Sequence, residues 1–509
     1  MKHTPKIILL LSAFAFLSSC GGASSSANSA FSSSNPLSGT SLDGGTSGVP
    51  TSSEVPSPSY EDFWAGGKSL SVSLSFTNAS LYALSNYGYN YDQKYADLYF
   101  PATFIAVLDG KSYTYEDVGV RMKGNTSRSD ICSSDGTIKD VCHFKVSFKC
   151  TFDDALYEES AFSAFKHSWS DNALRKARKA RRFATMSKLD LKYLPRNDSN
   201  SSSYATYSQE MYCFHVFEQE GIVAPKAKWA SLTFKDDKAS KTSSFEAIEA
   251  VDEDFITHHF SSAETGGDLY KCSTYKSGSS YIKADLTPAG AIDSGGARES
   301  SGKIGVEDCY SLYHPNYQLK TNDDGEKSDF GKMANFISVV NNVKNGKSWQ
   351  NALENVLDVQ EFLTFEAISY TLGNFDDQRN NYNNYFLYFR PNDGKAIYLP
   401  YDWDWAFGGS VMSSGQSTLK PYHTSTTHDS SNTNPLYWCT ILSNSALQYS
   451  LNDYRSTYAA AIKKVVRDGY LESTTYSSFA NALAGSTLKE LSQVSSYMST
   501  KKSVISSAL

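Results

Sequence analysis

Apolar and β-branched residues recur at alternate positions, or in short unbroken runs, through 70–76, 99–108, 117–122 and 143–148, and a period of two predicts strands there. Residues 207–219 read as a helix and 229–234 as a strand. Residues 245–251 read as a strand that leads through Asp252 into a short helix ending at Phe260. The period then changes. Asp358 and Glu361 form a capping box, and Phe362, Phe365, Ala367, Ile368 and Leu372 give the following helix an apolar face that ends at Gly373-Asn374. Residues 385–389 and 395–401 are the arms of a hairpin around Pro391-Asn392-Asp393-Gly394. After 442, helical segments run to the end, with Tyr454, Tyr458, Ile462 and Val466 on one packing face. Residues 273–302 exchange periodic apolar positions for Gly and Ser and read as a loop insertion. Strands concentrate in about 60–260 and helices in about 303–509, which predicts an α+β fold.

The first 59 residues belong to a different class. Lys2 and Lys6 precede an apolar run at 7–16 that is too short to span a bilayer and has the layout of a secretory signal, residues 1–19. The run closes on Leu17-Ser18-Ser19-Cys20, which resembles the bacterial lipobox and implies acylation of Cys20. The expected location is extracytoplasmic, with the chain anchored to the bacterial cell membrane and not spanning it. Residues 20–59, rich in Ser, Gly, Thr and Pro, read as a tether, leaving 60–509 as the folded part. With 40% hydrophobic and 20% charged residues the 509-residue chain is globular, and a net charge of −7 gives no general attraction to nucleic acid. Beyond Cys20 seven cysteines remain, Cys132, Cys142, Cys150, Cys213, Cys272, Cys309 and Cys439; none has zinc-site spacing, and they read as structural. A helix opening at Ser170-Asp171 carries Arg175, Lys176, Arg178, Lys179, Arg181 and Arg182. It reads as a solvated face or as a contact for an anionic surface.

Two stretches carry chemistry. Arg121 and Lys123 lead into the turn Gly124-Asn125-Thr126-Ser127, whose backbone N–H groups and hydroxyls suit a phosphate, although a solvated hairpin end has the same composition. In an extended segment Asp402 and Asp404 share one face while Trp403 and Trp405 share the other. Two hard carboxylates beside Gly408-Gly409 suit Mg²⁺ or Mn²⁺. The order of helix, loop with Asp376-x4-Asn381, hairpin, and Asp ahead of Phe-Gly is that of protein kinases, without their H-R-D, D-F-G or G-x-G-x-x-G sequences. The same residues also fit a hydrogen-bonded loop with a purely structural cation or water.

Several ordered motifs resemble the CotH family, the spore coat protein H type of atypical protein kinase. They are the segment 120–127, Glu249-Ala250-Val251-Asp252 with Phe255, Asp268-Leu269-Tyr270-Lys271, and Tyr317 to Thr321. Gly373 to Asp376 with Asn384 to Tyr388, and Leu399 to Gly408, complete the set. The resemblance implies a divergent kinase-like fold with a strand-rich N-terminal lobe and a helix-rich C-terminal lobe, using ATP and a divalent metal to phosphorylate Ser/Thr of secreted or surface proteins. It implies that Asp376, or the adjacent Asp377, receives the acceptor proton, and that Asp402 holds metal with Asp404, Asn381 or Asn384 assisting. On the nucleotide side it implies Arg121, Lys123, Asn125, Ser127, Lys145 and Glu249, with a basic residue and Glu249 forming an ion pair like the kinase Lys–Glu pair. The phosphate-binding lysine stays open, because the family's Lys-Lys falls near Val141-Cys142. Alternatives to the kinase are a catalytically silent binding or adhesion module and a metal-dependent phosphoester hydrolase.

Overall fold

A computed structural model describes residues 56–89, 95–124, 127–133, 137–194, 208–277, 280–287, 316–321, 331–342, 347–408, 411–422, 436, 452–483 and 491–509. The signal segment, Cys20, the tether up to residue 55, Asn125, Cys309, Cys439 and the second half of the 273–302 insertion lie outside them. No helix among the described residues is long and apolar enough to cross a membrane.

The first half builds a closed barrel. It holds α1 (Tyr60–Trp64), β1 (Leu70–Ser75), α2 (Asn78–Gly88), β2 (Phe100–Leu108), β3 (Lys111–Lys123), β4 (His143–Ser147), α3 (Asn172–Lys179), β5 (Lys188–Tyr193), α4 (Gln209–Gln219), β6 (Ala227–Lys235), β7 (Ser240–Glu249) and α5 (Glu253–His259). The strand order is β1-β2-β3-β4-β5-β7-β6, closed by β6 running parallel to β1, with every other neighbouring pair antiparallel. Alternation does the sorting: in β2 Phe100, Ala102, Phe104, Ala106 and Leu108 are buried and the intervening residues are not. Aromatic rings fill the interior edge to face, Phe104 lying 5.1 Å from Phe148 and 5.2 Å from Phe183 between centroids. The predicted strands are present. β5 and α2 are additions that the sequence reading did not name.

The second half is helical around a small sheet. After β8 (Asp268–Cys272) come the ribbon β9 (Tyr275–Ser277) and β10 (Ser280–Ile282), β11 (Tyr317–Leu319), α6 (Gly331–Asn341), α7 (Lys347–Glu354), α8 (Val359–Leu372), β12 (Tyr385–Phe389) and β13 (Ala396–Pro400). They are followed by α9 (Asn452–Arg467), α10 (Ser473–Ala482) and α11 (Leu491–Ala508). The sheet order is β11-β8-β12-β13. The Asp358 side chain caps α8 by accepting from Glu361 N, as the capping box predicts. Helix α8 is buried on nearly every side, the mark of a central helix. Tyr458, Ile462 and Val465 of α9 and Phe217 of α4 join it in one core. The mixed strand and helix content matches the α+β expectation.

The basic helix is corrected in a specific way. Arg178 and Arg181 are buried, not solvated: Arg178 donates to Asp117 O (2.8 Å) and Asp117 Oδ2 (2.8 Å), and Arg181 to Phe148 O (2.7 Å) and Glu116 O (2.8 Å). A planar fork of donors meets carbonyls that the ladder leaves free, which explains why arginines sit here. Lys176 and Lys179 alone of the six stay exposed. The described cysteines, Cys132, Cys142, Cys150, Cys213 and Cys272, are free thiols.

Candidate active site

Helix α8 stops because Gly373 takes a left-handed conformation (φ 63°), which a side chain resists, and a Cβ there would fall 1.9 Å from Tyr497 Oη. The chain turns at once into the polar loop 374–384. Asn374 accepts from Asp376 N (3.0 Å) and donates to the carbonyl of Asp402 (3.1 Å), so a single amide ties this loop to the segment after β13.

The two adjacent aspartates face different ways. Asp377 is fully buried, and its Oδ1 accepts from Arg379 N (3.0 Å), Asn380 N (2.9 Å) and Asn380 Nδ2 (2.8 Å). It shapes the turn; burial and Glu366 push its carboxyl up to about 7. Asp376 instead accepts from the amides of Asn381 (2.5 Å), Asn383 (3.2 Å) and Asn384 (3.0 Å). Burial pushes it up to about 6, the asparagine donors pull it down, and Asp402 and Asp404 push it up again. Asp376 therefore shares the electrostatic field of the carboxylates after β13, and Asn381 and Asn384 are spent on orienting it.

Those carboxylates have a cation in their midst. Glu210 of α4, Asp402 and Asp404 each offer an oxygen within 4.8 Å of the others. Lys192 of β5 bonds Asp402 Oδ1 and lies 2.5 Å from Glu210 Oε2 and 3.1 Å from Asp404 Oδ2. Glu210 also accepts the backbone N–H of Trp403 (3.0 Å), and burial raises its carboxyl against the opposing pull of Lys192. Asp402 holds a left-handed backbone (φ 59°), a strain of about 1–3 kcal/mol that the neighbouring bonds must sustain. Trp403 packs on Phe217 at 4.9 Å and Trp405 stacks on Phe375 at 6.3 Å; the segment is not extended, because Asp402 is left-handed and a turn follows at Asp404, so it is this turn and not strand alternation that brings Asp402 and Asp404 together.

The nucleotide-side residues divide. Lys123 and Lys145 reach this cleft, sharing Asp190 at 3.4 and 3.1 Å, and Lys123 Nζ stands 4.9 Å from the Tyr401 ring centroid. Arg121 pairs with Asp97 (2.5 Å), and Ser127, four residues beyond the end of β3, is half-buried. Glu249 is a correction. It forms no pair with Arg121 or Lys123 but accepts from Tyr60 Oη (2.9 Å) and meets His259 Nε2 (2.8 Å) and His258 Nδ1 (3.2 Å). The hydroxyl and two imidazoles hold its carboxyl below the usual range despite burial.

Lys192 and Glu210 were not singled out from sequence. Leu189 and Leu191 alternating with Lys188, Asp190 and Lys192 is a period-two signal that marks β5, and Glu210 opens a helix one element later. Nothing local pairs them.

A family model described as CotH kinase protein matches residues 166–503, about two-thirds of the chain, beginning just before α3. Among solved structures the chain is similar to the crystal structure of a Helicobacter pylori proinflammatory kinase, CtkA, at 12% identity. The match covers 63% of this chain and 89% of that one, with a TM-score of 0.29. No curated protein matches it.

Proposed function

The chain belongs to the CotH kinase protein family, and on that premise we propose that it is an atypical protein kinase that transfers the terminal phosphoryl group of ATP to Ser/Thr hydroxyls of surface proteins. The observation that carries the reading is Lys192 held between Glu210, from the helix after its own strand, and Asp402, from the segment after a β-hairpin. A strand lysine paired with a helix glutamate beside a metal-binding aspartate is the arrangement that positions a triphosphate in protein kinases. Kinase-like lobes correspond on this reading to the barrel and the helical half.

The donor set fits a hard divalent cation: three carboxylate oxygens converge and no sulfur or imidazole is among them. Asp402 and Asp404, with Glu210 at their side, would hold Mg²⁺ or Mn²⁺, which when bound neutralises the phosphate oxygens. Lys192 orients the phosphate chain. Asp376, poised near neutrality and fixed by three asparagine amides, accepts the hydrogen bond and then the proton of the attacking hydroxyl. Asp377, turned into the loop, has no such role.

The test is transfer of label from γ-labelled ATP to protein by the full chain with Mg²⁺ or Mn²⁺. Loss in Asp376→Asn and in Asp402→Asn, with both variants folded, supports the reading. Metal binding without transfer points to a silent binding module, and free phosphate without labelled protein to a hydrolase. Anchoring at Cys20 is part of the proposal, supported by the segment 1–20. It predicts fatty-acid labelling and membrane fractionation that Cys20→Ala abolishes.

A further inference from the structure

The last helix carries two kinds of face. On α11, Val494, Met498 and Ile505 are buried in the core that also holds α8, as an amphipathic helix requires. Beside them runs a second stripe, Gln493, Tyr497 and Lys501, spaced four residues apart and so aligned on one side of the helix. Packing alone does not account for this stripe. Lys501 is fully buried, its Nζ 4.0 Å from the centroid of the Tyr370 ring and without a hydrogen-bond partner among the described residues. Burial, and then Arg379, pushes its ammonium well below the usual lysine range. An apolar side chain in that place would cost the fold less.

What the stripe touches is the root of both segments that carry the proposed chemistry. Tyr497 Oη donates to Thr371 O (3.2 Å) in the last turn of α8, two residues before the left-handed Gly373 that releases the loop of Asp376. One turn back along α11, Gln493 Nε2 donates to Gly408 O (2.5 Å), at the far end of the segment that begins with Asp402. Between these two bonds the Phe407 ring stands edge-on to Tyr497 at 5.7 Å, and Phe407 N donates to Leu372 O (2.9 Å). One turn further on, Lys501 lies against Tyr370, whose ring Arg379 of the Asp376 loop also approaches, at 5.2 Å.

The loop is tied up within itself, since asparagine amides hold Asp376 and the loop's own donors hold Asp377. A loop of this kind shifts as a body, and its anchors decide where it sits relative to Asp402. Those anchors are Asn374 Nδ2 on Asp402 O (3.1 Å), Phe407 N on Leu372 O and, from outside, the bonds made by Tyr497 and Gln493. Transfer between bound groups is sensitive to displacements of about 1 Å. A helix that bonds both segments from one face holds that spacing.

We propose that α11 is the brace that sets the distance between Asp376 and the segment of Asp402 and Asp404, with Tyr497 and Gln493 as positioning residues for phosphoryl transfer. The proposal rests on the kinase reading for the reaction it serves; the brace itself requires no transfer. Both residues act through backbone carbonyls of the helical half, whereas Lys123, Lys145 and Lys192 come from the barrel. Their loss is therefore expected to lower kcat and to spare the KM for ATP.

The test compares the full chain with three variants. Tyr497→Phe keeps the ring and removes one bond, Gln493→Ala removes the other, and Ile505→Val thins the packing of the same helix about two turns beyond Tyr497. Initial rates of label transfer to the chain itself and to casein, at varied ATP in Mg²⁺, give kcat and KM. Amide hydrogen exchange without nucleotide follows residues 374–384 and 402–408. Tyr497→Phe and Gln493→Ala are each expected to lower kcat by about tenfold, with the KM for ATP within about twofold of the parent. Exchange is expected to run about tenfold faster in both segments and to stay unchanged in β1 to β5. Ile505→Val is expected to melt lower with kcat unchanged, whereas a helix that mattered only for stability would make kcat follow the melting temperature in all three. The proposal is overturned if kcat stays within about twofold of the parent in both bond-removing variants, if the KM for ATP rises while kcat holds, or if Ile505→Val lowers kcat as much as they do. In each of those cases transfer by the parent leaves the kinase reading standing. If the parent labels neither acceptor, the kinase reading falls and exchange alone decides the brace: faster exchange in both segments upholds it, and unchanged exchange overturns it.

Discussion

Replacing Lys192 with Met tests the centre most directly, because it removes the cation and keeps most of the volume. The ammonium lies 2.5 Å from Glu210 and 3.1 Å from Asp404, both nearly fully buried, and bonds the more exposed Asp402. Without it three carboxylates remain within 4.8 Å of one another. At an effective dielectric of about 20, each like-charge pair near 4 Å costs about 4 kcal/mol. Proton uptake, first at Glu210 whose carboxyl burial already raises, caps the total near the 3–5 kcal/mol typical of a broken buried pair. Denaturant melts in chelator at pH 8 are expected to show that loss, shrinking toward pH 5 as the carboxylates protonate. Mg²⁺ is expected to restore more stability to the variant than to the parent, since a divalent ion can replace the lost charge. Label transfer is expected to fall by about 100-fold or more, and Lys192→Arg is not expected to rescue it, because a planar fork does not fit between three oxygens arranged for a point charge. A variant within about 1 kcal/mol of the parent in chelator at pH 8 refutes the argument, as does transfer within about threefold of normal.

Other outcomes follow from the same structure. Asp377→Ala removes the acceptor of three loop hydrogen bonds and is expected to cost about 2–3 kcal/mol while each folded molecule keeps its transfer rate; Asp376→Ala removes the acceptor of three asparagine amides and is expected to cost a similar amount but also to lose transfer, so the rate per folded molecule separates them. Glu361 is pushed up to about 8 by burial and then by Asp358, with Arg390 3.9 Å away and already bonded to Asp358 and Asp393. Its folded form therefore holds a proton that the unfolded form gives up from about pH 4.5, so this group lowers stability as pH rises to about 8. Glu361→Gln is expected to add about 2–4 kcal/mol at pH 8.5 and almost nothing at pH 4.5, read from melts at both values. Arg178→Met leaves Asp117 without its buried partner and is expected to cost about 3–5 kcal/mol, whereas exposed Lys176→Ala is expected to change stability by less than about 0.5 kcal/mol.

Legibility in the sequence followed the range of the interaction. The cap at Asp358, the stop at Gly373 and the hairpin at 385–400 are set by residues within a few positions of one another, and each is seen in the fold; Asp402 and Asp404 also come together, but through a turn and not through the extended segment their spacing suggests. The choice between Asp376 and Asp377 was not legible, because both sit in the same polar loop and only burial turns one toward Glu366 and the other toward Asp402. Glu249 misled for a related reason. Its motif marks the end of β7 correctly, but the side chain is taken by Tyr60 and by two histidines of the following helix, α5. Arg178 of α3 and Arg181 just beyond it misled through composition, which reports charge and not the free carbonyls that charge can reach.

What the sequence by itself determined is the kind of protein this is: an α+β chain with an ordered set of CotH motifs and a pair of carboxylates, Asp402 and Asp404, ahead of Phe-Gly. Periodicity, caps and spacing are properties of neighbours along the chain, and they survive without knowledge of the fold. What only the tertiary structure decided is which charges meet. Lys192, Glu210 and Asp402 come from a strand, a helix and a post-hairpin turn, the first and last of them separated by 210 positions. Their meeting follows from the register of the barrel and the packing of α4 against Trp403.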